Sequence, residues 1–454
     1  MKSSIPEFDF KITYEIKPRD LDNIMLIKKE LERRGYTVSM QNSFATFPIR
    51  AKVIAGLLDD DTYIAAHLST CRNAHRFINL KPEQIFNNSA DKEEDLSLAI
   101  RGCAKQSLNI AWGDNSVRRY TEVFGVPKEN VYKTGHITMD LLREEFRSYY
   151  KTKEELCREF SLDPEKKLYL YISSFVWNAL TESVIKGYRA SHSGGDPMEK
   201  VKMSVESKKG TMEWFDSILP EHPDCEFVYR PHPAEAKSEE LAVFASKHKN
   251  FHVISNYSVR QWIVASDKIF TWYSTSIGEI YAAKKNCSIL RPVEIPHDLD
   301  VEIYNNARKI TTYEEFEADF DNISSDPADF PISKKDMDYY YYNPTDSYNF
   351  ERYADAFEKA YKEAAFYIDE PPVPYNLKKG IKFKNFVKDS IASSKIVGFL
   401  TKTVMKDSSF EKKVAVYRYK RDERRKNVPT KKELRAAEER IDAILKYRIP
   451  RTDK

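Results

Sequence analysis

The sequence predicts an α/β protein with two doubly wound, Rossmann-like domains that face a cleft, followed by a basic helical extension. Short apolar segments alternate with amphipathic segments of helical period, which is typical of a parallel sheet covered by helices on both faces. The alternation occurs twice, with a charged interruption between the two sets. The chain of 454 residues is long enough for two or three domains.

The first alternating set opens with a βαβ unit. A strand is predicted at residues 8–16, an amphipathic helix at 19–34, and a second strand at 36–40 after Gly35 ends the helix. The charged helical stretch at 141–162 ends this set and indicates a linker. The other strands predicted in this set lie at residues 61–65, 75–80, 107–111 and 131–134.

The second set begins with a buried strand at residues 167–173, and Gly-rich composition within 189–210 indicates a mobile loop. A long amphipathic helix is predicted at 350–366. The remaining predicted strands lie at 226–229, 251–254, 268–271 and 287–290, and the helices at 211–219, 238–247 and 277–283. The predicted boundaries are 1–145 for the first domain, 146–166 for the linker, 167–330 for the second domain, 331–374 for the returning helix and 375–454 for the extension.

The composition excludes several classes of protein. Glycine is scarce, at 13 residues, which disfavours Gly-rich phosphate loops and collagen-like repeats. The 5 cysteines stand far apart without a C-x-x-C pair, so neither a zinc site nor a disulfide scaffold is indicated. No apolar stretch has the length of a signal peptide or a membrane span. We therefore expect a cytoplasmic protein.

Positive charge is concentrated in the extension. Residues 375–454 contain 24 Lys and Arg against 10 Asp and Glu, a net charge of +14, which leaves −11 for the rest of a chain whose total is +3. Apolar residues at helical spacing over 381–405, with lysines between them, favour a helix on an anionic membrane surface. We expect peripheral association with the inner leaflet, with packing on the protein itself as the alternative. Nucleic-acid binding through 417–426 is disfavoured, and a capping box at Thr430 predicts a last helix through Leu445.

One motif in the second set places cationic donors at the end of a strand. Residues 227–233 are Phe-Val-Tyr-Arg-Pro-His-Pro, so the strand ends in Arg230 and in His232, which is held between two prolines. Open α/β sheets bind ligands at the carboxyl ends of their strands. His232 could instead cap a neighbouring helix, which is a purely structural role.

A second motif follows about forty residues later and places three hydroxyls at the start of a helix. The free N–H groups and the dipole of a helix start favour a phosphate. Glu279, one turn into the helix, could accept hydrogen bonds from ribose hydroxyls. The alternatives are an ordinary N-cap cluster and an acidic first-turn residue. The three hydroxyl residues are Ser274, Thr275 and Ser276.

In this order and spacing, the two motifs resemble the donor-binding half of GT-B glycosyltransferases and related transferases that build bacterial surface polysaccharides. The group includes capsular Kdo transferases, polysialyltransferases and CDP-glycerol glycerophosphotransferases. The resemblance implies that His232 and the hydroxyls of Ser274, Thr275 and Ser276 hold the phosphate of a nucleotide-activated donor. It also implies that the first domain is the acceptor side of a GT-B fold and the second the nucleotide-donor side.

The amino half agrees with this resemblance, which covers about residues 8–300. Several of its segments are similar in order to segments of surface-carbohydrate biosynthesis proteins. These segments are Arg19–Asp22, Ile78–Phe86, Ala111–Gly113, Thr134–His136 and Met139–Asp140.

An inverting transferase needs a base that removes the proton of the acceptor hydroxyl. Glu83, just after a predicted strand, is the first candidate. Glu93 and Glu94 are the second, because related families carry an acidic pair followed by Gly in this region, although Asp95 stands here in place of that glycine. A solvated helix start is the alternative for this pair. His136 is a third candidate, with a structural histidine as its alternative.

Two further groups of residues have side chains suited to binding a phosphate or a metal ion. Ser173 and Ser174 end the first strand of the second domain and could contact the donor phosphate, or form a strand-to-helix cap. Asp59-Asp60-Asp61 has the letters of a metal-binding Asp-x-Asp, but a surface loop fits its turn-like composition better. Because Arg, His and a helix start can neutralise phosphate charge, we expect no metal and no cofactor.

The sequence therefore predicts a metal-independent, inverting glycosyltransferase. It would move a sugar or polyol phosphate from a nucleotide-activated donor, CMP- or CDP-linked by resemblance, to a glycan or lipid-linked glycan of a surface polysaccharide. A sugar-nucleotide 2-epimerase of the same fold is one alternative. A non-catalytic scaffold of the polysaccharide assembly machinery is the other.

Overall fold

We describe a computed structural model of the chain over residues 5–91, 99–179, 197–232, 235, 238–324, 326–374, 391, 394, 397 and 409–448. The chain divides into two compact units. The described residues of Met1–Pro82, Ile100–Ile110 and Tyr353–Ala443 form the first unit, and those of Glu83–Ala99, Ala111–Arg352 and Ile444–Lys454 form the second. The domain boundaries given above remain predictions.

The first sheet has the strand order β2-β1-β3-β5-β6-β7, and β4 pairs with β3. The pairs around β1, β3 and β5 are parallel. Helix α1, Lys17–Arg33, forms the predicted βαβ unit with β1 and β2. The strands are β1 Glu7–Tyr14, β2 Val38–Asn42, β3 Ile49–Gly56, β4 Cys71–Arg72, β5 Arg76–Asn79, β6 Leu108–Ala111 and β7 Val131–Lys133.

One strand prediction in this region is wrong, and two strands, β3 and the two-residue β4, were not predicted. Residues 61–65, predicted as a strand, belong to helix α2, Asp61–Leu68. The carboxylate of Asp60 caps this helix by accepting the N–H groups of Thr62 and Tyr63 at 2.8 and 3.0 Å, and this local cap outweighs the β-branched composition. Strand β3 was missed because Arg50 and Lys52, both exposed, interrupt its apolar pattern.

The second sheet is parallel, with the order β10-β9-β8-β11-β12. Its core includes the packed aromatic side chains of Tyr171, Phe215, Phe227 and Phe270. All five strands were predicted within one or two residues. They are β8 Lys167–Ile172, β9 Cys225–Arg230, β10 Phe251–Val253, β11 Lys268–Thr271 and β12 Asn286–Ile289.

The helix that follows β8 is longer than the sequence indicated. Helix α5 spans Pro197–Ile218, so the prediction of a mobile loop is wrong for residues 197–210, and residues 180–196 lie outside the described residues. Gly210 is accommodated because its Cα faces Pro292, where an added Cβ would come within 2.8 Å of the Pro292 Cβ. The other helices before residue 345 are α3 Asp114–Arg118, α4 Lys153–Phe160, α6 Glu239–Lys247, α7 Val259–Ala265, α8 Ile277–Ala282, α9 Tyr313–Phe320 and α10 Lys334–Tyr340.

Three helices follow near the carboxyl end: α11 Asn349–Lys362, α12 Ser409–Asn427 and α13 Lys431–Leu445. Helix α13 packs on α1 within the first unit, with Ala437 and Ile441 fully buried and an ion pair of 2.7 Å between Lys29 and Glu438. Residues 381–405 fall almost entirely outside the described residues. In the part of the chain described here, no helix combines the length and the apolar character needed to cross a bilayer.

Candidate functional site

The predicted donor-binding residues follow three neighbouring strands of the second sheet. Ile172, at the end of β8, pairs in register with Arg230 on β9 and with Thr271 on β11. Since parallel strands in register end at one edge, the residues that follow them share that carboxyl edge. Neighbouring strands lie about 4.8 Å apart, so β9 and β11 end about 10 Å from each other. The edge thus brings together Ser173, Ser174, Arg230, His232 and the Ser274–Ser276 segment.

Glu235, which the sequence analysis missed, organises the β9 side of this edge. Its carboxylate is 4% exposed and accepts hydrogen bonds from Ser173 Oγ, from Tyr229 Oη at 3.1 Å and from the His232 N–H at 3.1 Å. The turn is closed by the Glu235 N–H, which donates to the His232 carbonyl at 2.7 Å. Glu235 therefore fixes the backbone from which the half-buried His232 ring extends, and the Ser173 hydroxyl is engaged in holding it.

Arg230 keeps an uncompensated positive charge. Its guanidinium donates to the carbonyls of Asn256, at 2.9 Å, and Tyr257. Within the described residues, no carboxylate forms an ion pair with it. Burial alone lowers the pKa of Arg230 to about 10, which leaves the group protonated at neutral pH. The Arg230 side chain thus holds the loop at Asn256 and Tyr257 in place and adds a positive potential at the sheet edge.

The hydroxyl segment between β11 and α8 has the predicted position at a helix start. The Ser276 N–H donates to Ser274 Oγ at 3.3 Å, and Tyr304 Oη donates to the Ser274 carbonyl at 2.6 Å. The Thr275 side chain is exposed. Ser276 makes no side-chain hydrogen bond that caps the helix. These contacts fix the backbone of the segment while leaving the Thr275 hydroxyl in contact with solvent.

Glu279 lies one turn into α8, with its side chain 16% exposed. Burial raises its pKa, while the Arg260 guanidinium, 4.0 Å away, and a hydrogen bond with Ser276 oppose that effect. The neighbouring Gly278 permits close approach of the Tyr341 ring, because an added Cβ would come within 2.5 Å of that ring. Glu279 therefore combines a raised proton affinity with a fixed position behind the hydroxyl segment.

The segment that carries Glu83 is anchored in the same compact unit as the donor-side residues. The Trp112 N–H donates to Gln84 Oε1 at 2.8 Å, and Tyr273 Oη donates to Asn87 Oδ1 at 2.9 Å. Glu83 precedes Asn87 by four residues, and four residues of chain span at most about 14 Å. Glu83 therefore lies within about 14 Å of Asn87, which is bonded to Tyr273. Tyr273 directly precedes Ser274. The Glu83 side chain is exposed, so solvent can reach its carboxylate.

His136 packs against two aromatic side chains of the second unit, Trp112 and Tyr341, whose own ring centroids are 6.1 Å apart. Its ring centroid lies 3.9 Å from that of Trp112 and 6.1 Å from that of Tyr341. Thr138 Oγ1 is 3.4 Å from His136 Nε2. Because the Tyr341 ring also contacts Gly278, the imidazole lies one side chain away from the start of α8. This arrangement could not be predicted from the sequence, because Trp112 and Tyr341 are remote from His136 along the chain.

The remaining predicted residues divide into two groups. Glu93 and Glu94 lie outside the described residues. Asp59, Asp60 and Asp61 each serve the first unit's own structure: Asp59 pairs with the Lys81 ammonium at 2.8 Å, Asp60 caps α2, and Asp61 accepts the Cys103 N–H at 2.7 Å. Across the residues that the structure describes, no three His, Cys, Asp or Glu side chains are grouped so that they could hold a metal ion.

Comparison with known proteins supports the fold. No protein-family model and no curated protein sequence matches the chain. The solved structure of the wall teichoic acid polymerase TagF is similar at a TM-score of 0.50 and 12% identity, over 78% of this chain and 89% of TagF. This chain has the GT-B fold. The predicted class, an α/β protein with two parallel sheets, is thereby confirmed.

Two other solved structures have lower TM-scores. UDP-GlcNAc 2-epimerase from Neisseria meningitidis gives 0.46 at 12% identity, over 72% of this chain and 95% of the epimerase. A glycosyltransferase from Rickettsia africae ESF-5 gives 0.41 at 13% identity, over 80% of this chain and all of the other.

Proposed function

We propose that the protein is a metal-independent, inverting transferase that moves a sugar or polyol phosphate from a CMP- or CDP-linked donor to a surface polysaccharide. One observation carries this proposal: β9, β8 and β11 end together and present Arg230, His232 and the hydroxyl segment at one sheet edge. The fold shared with TagF, named as a wall teichoic acid polymerase, supports it as an analogy.

In this proposal the second unit stabilises the leaving phosphate. Negative charge develops on the phosphate oxygen as the bond to the transferred group breaks, and preorganised donors at that oxygen lower the barrier. Arg230 supplies a fixed positive charge, and His232 donates from its ring. Ser274, Thr275 and Ser276 donate from their hydroxyls, with Ser174 beside them, while Ser173 acts through Glu235. Glu279 accepts from the ribose.

The acceptor hydroxyl must lose its proton on the opposite side of the transferred group. Glu83 is proposed as this base because its carboxylate is exposed and its segment is bonded, through Asn87, to the residue that precedes Ser274. A base must come within about 2.6–3.2 Å of the hydroxyl in the substrate complex. His136 is the second proposed base, and Glu94 stays a prediction of the sequence.

The basic extension is proposed to hold the enzyme at the inner leaflet, where a lipid-linked glycan would be presented. On α12, the side chains of Lys413, Arg425 and Lys426 are exposed. Each such charge near an anionic surface contributes about 1 kcal/mol. Cytoplasmic location with peripheral membrane association, and the absence of a nucleic-acid partner, are parts of the same proposal.

Two measurements test the function. Thermal unfolding of the full chain with CMP, CDP, UDP, GDP and dTDP should show selective stabilisation by a cytidine nucleotide, because a ligand of the folded state alone raises the melting temperature. Donor consumption should then require an added glycan acceptor. Conversion of the sugar nucleotide without any acceptor would identify an epimerase, and absence of both binding and turnover would leave a scaffold.

A further inference from the structure

Polar atoms without hydrogen-bond partners are concentrated beside the carboxyl edge of the second sheet, on the α5 side. Buried polar groups in native proteins are nearly always paired, so a group of unpaired ones indicates a missing partner. Seven residues contribute such atoms within the described part of the chain. The atoms are Tyr171 Oη, Ser174 Oγ, Ser204 Oγ, Ser207 Oγ, Thr211 Oγ1, Trp272 Nε1, and Arg291 Nε and Nη1.

Helix α5 supplies three of these hydroxyls from one face. Ser204, Ser207 and Thr211 are fully buried and follow the i, i+3, i+7 spacing of a single helix stripe. Phe215 continues the stripe and packs on Tyr171, with ring centroids 5.1 Å apart. Towards its start, α5 passes the segment after β8, where Lys200 Nζ lies 5.7 Å from the Trp177 ring centroid.

The strand ends close the other side of this group. Pro292 meets α5 at Gly210, next to Thr211, and so brings the adjoining Arg291 to the same stripe. Phe175 stacks on Trp272 at 4.6 Å and on Tyr171 at 6.3 Å. The hydroxyls of Tyr171 and Thr211 interact with each other, and neither has a hydrogen-bond partner by distance and angle among the described residues. Burial raises the pKa of Tyr171 well above its usual value, an effect that the negative charge of Glu235 strengthens and that the Thr211 hydroxyl and the Arg291 charge oppose.

Arg291 is the charged member of the group and is 3% exposed. Its Nη2 donates to Asp300 Oδ1 at 2.9 Å, and its guanidinium carbon lies 5.1 Å from the Tyr304 ring centroid. Lys309 Nζ also approaches Asp300, at 3.4 Å from Oδ2. Two cations therefore share one carboxylate, and Nε and Nη1 of Arg291 are left without acceptors among the described residues.

The unpaired groups require an occupant that accepts hydrogen bonds. Guanidinium and indole N–H groups can only donate, and hydroxyls can donate as well as accept. The nearby carboxylates are already engaged, because Glu235 accepts from Ser173, Tyr229 and His232, and Asp300 accepts from Arg291 and the Val301 N–H. An oxyanion matches the surplus of donors.

We propose that Arg291, with the buried hydroxyls of Thr211, Ser207 and Tyr171, binds a phosphate group beside the carboxyl edge of the second sheet. The phosphate is that of the nucleotide donor, in which case the inference rests on the function proposed above, or a free phosphate or pyrophosphate. Both sources offer the same chemistry, and the experiment separates them. Arg291 is in either case a ligand-binding residue that the motifs at residues 227–233 and 274–276 do not include.

The test uses the full chain and compares binding of inorganic phosphate, pyrophosphate, CDP and cytidine by calorimetry, at matched ionic strength. Arg291→Gln should lower the affinity for the phosphate-bearing probes by about tenfold to hundredfold, as expected for the loss of hydrogen bonds to a charged group. Arg308→Gln, at an exposed arginine, is the control for the change of charge and should leave binding unchanged. Cytidine should bind equally to all variants.

Thr211→Val keeps the test valid if Arg291→Gln fails to fold. Because the Thr211 hydroxyl has no partner in the described chain, its removal should not lower the melting temperature without ligand, yet should weaken phosphate binding about twofold to tenfold. Thr13→Val is the matched control, since that buried hydroxyl donates to the Ala55 carbonyl at 3.1 Å. It should lower the melting temperature and leave phosphate binding unchanged.

The outcomes separate this inference from the function. Weaker binding of CDP in both site variants supports the inference and identifies the nucleotide donor as the source of the phosphate. Weaker binding of phosphate and pyrophosphate alone also supports the inference, and identifies a free phosphate or pyrophosphate as the ligand. If CDP binds the native chain and neither variant changes any affinity, the inference is wrong and the function stands. If no nucleotide binds but pyrophosphate binding depends on Arg291, the function is wrong and the inference stands. A site that holds only water would show no dependence on phosphate and would overturn the inference.

Discussion

The carboxyl edges of the two sheets differ in whether their buried polar groups have hydrogen-bond partners. At the first edge, Asn79 Nδ2 donates to Asp59 Oδ1 at 2.8 Å and to Asn109 Oδ1 at 3.2 Å, and Lys81 Nζ donates to Asp59 Oδ2 at 2.8 Å. The Asn79 oxygen accepts the N–H groups of Leu58 and Lys81. This network satisfies itself, whereas the second edge keeps donors such as Arg291 Nε unpaired.

The difference separates a structural role from a binding role for polar residues at equivalent ends of parallel strands. A closed network fixes backbone geometry, and here it holds Lys81 at a φ of 33°, a conformation that non-glycine residues seldom adopt. An open set of donors has its lowest free energy only when a ligand completes it. The predictions below test this contrast, from the largest expected effect to the smallest.

Disrupting the hydrogen-bond network at the first edge should lower the free energy of unfolding and leave CDP binding unchanged. Lys81→Met removes the cation of a buried pair whose side chains are 3% and 13% exposed, and the free energy of unfolding should fall by about 3–5 kcal/mol. Chemical denaturation measures this loss, and CDP affinity of the folded fraction should not change. Lys52→Met is the control at a 55% exposed lysine, with an expected loss below about 1 kcal/mol. Lost CDP binding at unchanged stability would instead give Lys81 a binding role.

Removing a hydrogen-bond donor from the second edge should lower activity and leave stability almost unchanged. If His232 donates to the departing phosphate, as proposed, His232→Ala should lower kcat by about 10²–10³, equivalent to about 2.7–4 kcal/mol of transition-state stabilisation, because that phosphate loses one hydrogen bond. The melting temperature should change little, since Glu235 holds this turn through the His232 backbone. Steady-state kinetics with a CDP-linked donor measures the effect. His297→Ala, at an exposed histidine, is the control, and an equal loss in both variants would contradict the assignment.

Asp140 extends the contrast within the second unit, as a fully buried carboxylate that does have partners. It caps α11 by accepting the N–H groups of Asn349 at 2.9 Å and Phe350 at 2.7 Å. Burial raises its pKa from 3.8 to about 6, while the Arg143 charge and these N–H groups oppose the rise. The folded state therefore holds this proton more tightly than the unfolded chain does. Its contribution to stability is complete below about pH 4 and is lost as the pH rises through 6.

The wild-type protein should consequently lose about 2–3 kcal/mol relative to Asp140→Asn between pH 4 and pH 7, at 1.36 kcal/mol for each pKa unit. Denaturant titrations of both proteins across this range measure the difference. Asp338→Asn, at a surface aspartate paired with Lys334, should track the wild type. A flat difference between wild type and Asp140→Asn would show that the cap bonds fully offset burial.

The sequence was sufficient for the elements whose pattern is local. Each strand of the second sheet is a short apolar run followed by polar residues, so both its position and the edge that carries the candidate site could be predicted. Helix α2 was mistaken for a strand because the Asp60 cap outweighs side-chain propensity, and β3 was missed because Arg50 and Lys52 point to solvent from an otherwise buried strand. Both errors arise because the secondary structure that composition indicates is overridden, by a local hydrogen-bonded cap in α2, or is obscured, by solvent-exposed residues on one face of β3.

The parts of the site that the sequence did not reveal depend on contacts between remote residues. Glu235 lies three residues after His232, but its role depends on Ser173, 62 positions away. His136 meets Tyr341 only because the chain returns after α10. The unpaired state of Arg291 is a property of everything around it, and no pattern in a linear sequence can indicate a missing partner.

Ser173 and Ser174 offer the smallest and most direct test of the contrast, because two adjacent serines at one strand end differ only in pairing. Ser173 Oγ donates to the buried Glu235 carboxylate, so Ser173→Ala should cost about 1–2 kcal/mol of stability. Ser174 Oγ is buried without a partner in the described chain, so Ser174→Ala should change the free energy of unfolding by less than about 0.5 kcal/mol. Nucleotide affinity should nevertheless fall in Ser174→Ala. Equal destabilisation by both substitutions would mean that Ser174 is paired like its neighbour, and the second edge would then be as closed as the first.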